Sequence, residues 1–160
     1  MKNIIHNVTR QLSEIIDGEP WVDETFVKKL SGLSEAQAFT RPLSSVHSVA
    51  ELVSHLLEWR ISVLSILKGG ARTITMDSPA NWKDNDTLRR EGWEILKEKF
   101  YKSQQDIITF LDQQHDDYLE QVDKKEHHSY LYYSEGLIHH DMYHLGQIGL
   151  VIKMLSNSLP

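Results

Sequence analysis

The chain contains no cysteine. Disulfides, thiolate metal sites and cysteine nucleophiles are excluded with it. Any transition-metal site must therefore use histidine, with carboxylates as helpers. Cations are in the minority: 17 Lys and Arg face 23 Asp and Glu, for a formal charge of −6. No basic cluster reverses this locally, which argues against a nucleic-acid partner. No apolar run approaches the roughly 20 residues of a membrane span. The opening stretch MKNIIHNVTRQLSEII is broken by polar side chains every few positions, unlike a signal peptide. The expectation is a cytoplasmic protein with neither membrane nor nucleic-acid partner. Strand signals are nearly missing as well; only Arg72 to Met76 alternates, weakly and alone.

What remains is helical. The 160 residues are 40% hydrophobic and 25% charged, an ordinary globular balance, and suit one domain spanning 1–160. Ile4, Ile5, Val8, Leu12, Ile15 and Ile16 form one stripe and predict a first helix from about Asn3 to Ile16. Gly18 and Pro20 end it. A long connection to Pro42 follows, with room for short helical pieces at Glu24–Leu30 and after Ser34. A second helix begins near Ser48, where Glu51 completes a capping box, and stops before Gly69-Gly70. Its stripe runs through Leu52, His55, Leu56, Trp59, Val63, Ile66 and Leu67, which puts His55 on the buried face. Ala71 to Asp86 reads as a loop. A third helix is predicted from about Thr87 to His115, then a polar, acidic stretch, then a fourth helix from about Ser129 to Leu155. The fold class is all-α, a four-helix bundle with long connections after the first and second helices.

Nine histidines are more than composition requires. His6, His115, His127 and His128 lie in polar stretches and read as solvated, while His47, in a loop before a helix, fits either side. The informative run is His139 to Gln147. His140 and His144 are four apart, a rotation of about 40° and a rise of about 6 Å on a helix, so both imidazoles leave one face. Two neutral imidazoles so placed can share a divalent cation. Gln147 continues their stripe, and three polar side chains on an otherwise apolar face are costly unless something satisfies them. His55 offers a third imidazole if the second and fourth helices bring it alongside; the alternative is a hydrogen-bonded core histidine. Asp141 and Glu58 are candidate partners for the outer ring nitrogens, or else solvated helix carboxylates. Tyr143 fits the core or a pocket. Gly146 suggests close approach by a neighbouring helix. Trp21, Trp59 and Trp82 are candidate pocket walls.

Two runs carry a family resemblance. SVHSVAELVSHLLEWR resembles the second-helix motif of DinB-like proteins, with tryptophan four residues after histidine. GLIHHDMYHLGQIGLVIK is similar to their last-helix motif, H-D-x-Y-H-x-G-Q-I. GEPW and the Arg41-Pro42 pair resemble one branch of the same family, so the likeness runs in order along nearly the whole chain. It implies an up-down-down-up bundle with a long crossover after the first helix. It also implies His55, His140 and His144 as ligands of a divalent metal ion, commonly zinc or nickel, and frequent homodimers. The wider superfamily, with its YfiT-like members, includes thiol S-transferases and metal-dependent hydrolases. Three functions are therefore open. The first is a metal-dependent enzyme that transfers a low-molecular-weight thiol to an electrophilic small-molecule substrate, the thiol serving as cofactor. The second is a hydrolase using metal-bound water, for which Asp141, Glu58 and Tyr143 are the local candidate bases. The third is a non-catalytic metal- or ligand-binding stress protein, whose site Gln147 would close.

Overall fold

The computed structural model describes residues 4–157, and among them it is all-helical with no strand. Helix α1 spans Ile4–Asp17 and buries Ile5, Val8, Leu12 and Ile15. Its expected start at Asn3 lies outside the described residues. The free N–H groups of Ile4 and Ile5 donate to the Asp116 carboxylate at 3.1 and 3.0 Å, which satisfies two of the donors a helix start leaves open. The long connection folds into two short helices where the sequence suggested them. These are α2 (Phe26–Leu30), capped by Thr25, and α3 (Glu35–Ala38), with a capping box between Ser34 and Gln37.

Helix α4 spans Val49–Leu67 and opens with the expected reciprocal capping of Ser48 and Glu51. It ends before Gly69, whose φ of 77° suits glycine. A 3₁₀ turn at Pro79–Trp82 interrupts the loop that follows. The third long helix departs from expectation. It is α5 (Asn85–Glu91) and α6 (Trp93–Leu111), parted at Gly92, whose φ of 95° breaks the helical path. The chain leaves helical geometry at Leu111, and Asp116–Glu120 forms a 3₁₀ turn instead of carrying α6 on to His115. Helix α7 spans Tyr130–Asn157.

Four long helices, α1, α4, α6 and α7, share one apolar core. Helix α4 packs directly against both α6 and α7, and α1 closes the far side against the same two. The second and fourth long helices are thus neighbours, the arrangement in which His55 can meet the α7 histidines. Arg60 of α4 fixes this packing from inside. It is fully buried, pairs with Asp141 of α7 at 2.7 Å, donates to the Phe100 carbonyl of α6 at 3.2 Å, and lies 4.0 Å above the Phe100 ring.

Candidate metal centre

His55 leaves α4 toward α7, and His140 and His144 leave one face of α7 toward α4. His140 Nε2 lies 3.0 Å from His55 Nε2 and 3.0 Å from His144 Nε2, and the three atoms all fall within 4.8 Å of one another. Imidazole nitrogens bound to one ion at roughly 2.0–2.1 Å sit about 3 Å apart. The two spacings to His140 match that geometry.

The outer ring nitrogens decide what the inner ones can be. His55 Nδ1 faces the backbone carbonyl of Asn81 at 2.9 Å. A carbonyl only accepts, so Nδ1 carries the hydrogen and Nε2 of the neutral ring is a bare lone pair. His144 Nδ1 donates to the Gln147 amide oxygen at 2.6 Å, with the same consequence. His140 Nε2 therefore stands between two lone pairs and can offer a hydrogen to one of them at most. A cation satisfies all three at once. Burial keeps the rings neutral, as ligands must be. His140 is pushed down to about 3, by desolvation first and then by the charges of His144, His55 and Arg60. His144 is pushed down to about 4, by burial and by His55, with the Gln147 bond opposing. Burial also lowers His55, against the bonds to Asn81.

Asn81 is the joint that holds this end of the site. It is buried, and besides its backbone bond to His55 its Oδ1 accepts from Trp59 Nε1 at 2.9 Å and its Nδ2 donates to the Met76 carbonyl at 3.0 Å. The next residue, Trp82, lies flat between two imidazoles: 4.0 Å from the His55 ring at 8°, and 3.9 Å from the His47 ring at 2°. His47 Nδ1 comes within 3.5 Å of Oε2 of the buried Glu51, but that carboxylate is taken by a two-pronged bond from Arg41 and by the Ser48 N–H, and neither ring nitrogen of His47 makes a hydrogen bond among the described residues.

The three histidines line a cavity of about 570 Å³. Trp59, Val63, Ile66, Leu137 and Trp82 line it, His47 reaches it beside the triad, and Tyr143 and Met76 stand exposed at its edge. Sequence reasoning missed the parts played by His47 and Asn81. Each belongs to an irregular segment without periodicity, and the Asn81 group that meets His55 is a backbone carbonyl, which any residue carries.

Several expected roles are reassigned. Asp141 does not hold a histidine; it is fully buried and paired with Arg60. Glu58 pairs with Lys83 at 2.5 Å. Gln147 turns its amide oxygen to the outer nitrogen of His144 instead of closing the site. Tyr143 is 64% exposed and lies at the cavity mouth, not in the core. Trp21, at 98% exposure, lines no part of this cavity. A side-chain carbon added at Gly146 would meet open space, so close helix approach does not explain that glycine. His6, His115, His127 and His128 are exposed, as their polar surroundings suggested.

Residues 21–148 match a family model described as the DinB superfamily, a span that takes in all three converging histidines. No curated protein matches the chain.

Proposed function

The chain belongs to the DinB superfamily, and on that premise we propose that it is a metal-dependent enzyme. Its ligands in this reading are His55, His140 and His144, and it transfers a low-molecular-weight thiol to an electrophilic substrate held in the adjoining cavity. The observation that supports this most strongly is the meeting of three imidazole nitrogens at a cavity large enough for a small molecule. A divalent ion, zinc or nickel, supplies Lewis acidity that favours the thiolate of a bound thiol or the hydroxide of a bound water.

The chain's own residues do the remaining work. With no cysteine present, the thiol is supplied from outside. The Asn81 carbonyl and Gln147 amide aim the inner nitrogens of His55 and His144. Trp82 and Trp59 shield the triad from water and offer aromatic faces to a substrate. His47, placed by its stack on Trp82 and lining the cavity, is the imidazole outside the triad that can take the thiol proton.

The test is to incubate zinc- or nickel-loaded protein with a low-molecular-weight thiol and a chlorinated aromatic acceptor. Conjugate formation well above that of His140→Ala, with chloride released in equal amount, supports the reading; parity with that variant removes it. His47→Gln should keep the metal and lose rate. One observation favours a second reading, hydrolysis. It needs a base at the cavity, and His47 lines the cavity while Asp141 and Glu58 do not. Turnover of esters, amides or lactones without added thiol would select it. The family resemblance extends the proposal to a homodimer, to be checked by light scattering.

A further inference from the structure

The charge of the cavity bears on what it admits. Among the side chains lining it, Arg72 is the one with a permanent charge, and that charge is already matched. Its Nε and Nη2 donate to the two carboxylate oxygens of Glu126 at 2.8 and 2.6 Å. This is the parallel fork in which a guanidinium and a carboxylate fit best. Glu126 does not itself line the cavity. It is set in place by its loop: its N–H donates to Asp123 Oδ2 at 2.6 Å, and pairing of Val122 with Ser129 closes the loop just before α7. Asp123 is itself buried, and although neither carboxylate lines the cavity, both act on Tyr133, which does. Trp59, Val63, Ile66 and Leu137 line the cavity with apolar or aromatic surface, beside the uncharged Ser62, Tyr133 and Gln147. An anionic ligand would have to compete with Glu126 for the fork or lie beside carboxylates. An uncharged one meets a lining that, Arg72 apart, is apolar, aromatic or neutral and polar.

We propose that the cavity selects an uncharged, largely apolar substrate, and that Glu126, from outside the cavity, is the residue that sets this preference by occupying Arg72. The inference deepens the metal-enzyme reading, on which the use of metal-seeking probes rests.

Two probes with one head and one chain length test it on zinc-loaded protein by calorimetry: octanohydroxamic acid and suberic monohydroxamic acid, which differ in a terminal methyl or carboxylate. The native protein should favour the methyl-ended probe about tenfold or more. Glu126→Gln should raise affinity for the carboxylate-ended probe about tenfold and leave the other within about twofold. Adding Arg72→Met to that variant should cancel the gain. A metal-free arm compares 2-naphthalenemethanol with 2-naphthoate on the same proteins and should show the same order. Equal binding of both tails by the native protein overturns the proposal, and so does a Glu126→Gln variant that gains nothing for the anion. Selectivity that survives in the metal-free arm while zinc fails to bind overturns the metal reading alone.

Discussion

Replacing Asn81 by alanine removes a side chain that is not one of the three proposed metal ligands, yet it should weaken metal binding. Two side-chain hydrogen bonds go: the one from Trp59 Nε1 at 2.9 Å and the one to the Met76 carbonyl at 3.0 Å. At about 1 kcal/mol net for each, and more where a buried partner is left unmatched, the loss is about 2–3 kcal/mol. That corresponds to a fall in melting temperature of roughly 4–12 °C for a chain of this size. The loop around the Pro79–Trp82 turn then loses its anchor to α4. The Asn81 carbonyl no longer fixes the His55 ring, and Trp82 loses its register on that ring. Loss of such an outer partner typically weakens metal affinity about 10–100-fold. Competition with a chromophoric zinc chelator, well below the variant's melting temperature, gives the affinity directly. A variant destabilised as expected but holding zinc within about twofold of native would refute the claim that Asn81 positions His55.

Acidification should destabilise the metal-free protein. The folded-state values of His140 and His144 lie near 3 and 4, below the 6.5 of an unfolded chain, so between those limits the unfolded state binds protons that the folded state does not. Their contribution is full above pH 6.5 and is lost as pH falls through that window, which thermal melts of apo-protein at a series of pH values will show. For the same reason, metal release should set in well below pH 6.5 if the fold persists. Asp141→Ala leaves Arg60 as a buried unpaired charge and should cost about 3–5 kcal/mol in urea unfolding, whereas the double change of Arg60 and Asp141 to apolar residues should cost less than the single one. Asp116→Ala removes the acceptor for the first α1 donors and should cost about 1 kcal/mol by the same measurement, leaving zinc affinity unchanged.

The bounds of α1, α4 and α7 and the pairing of His140 with His144 are legible because they rest on local regularities. The Ser48–Glu51 capping box marks the start of α4, Gly69 its end, and the four-residue spacing of His140 and His144 sets both on one face whatever surrounds them. What was not legible depends on contacts between segments. The break at Gly92 is a backbone choice that apolar periodicity does not report, since Leu88 and Trp93 are both buried on either side of it. Asp141 and Glu58 have the right spacing to serve His144 and His55, but Arg60 and Lys83 claim them, and neither competitor is near them in sequence. The flat stack of His47 on Trp82 joins residues 35 positions apart through a loop, where side-chain type alone gives no direction. Whether α4 and α7 lie side by side was likewise a question for packing.

The central claim is that His55, His140 and His144 act together on one cation. Cobalt titration of the apo-protein, followed by its visible d–d absorption and by calorimetry, tests it most directly. One ion per chain is expected, with a spectrum of nitrogen ligation at low coordination number that is abolished by alanine at any one of the three positions and retained in His139→Ala. Saturable binding that survives the triple alanine substitution, or no binding by the native chain at neutral pH, would contradict it.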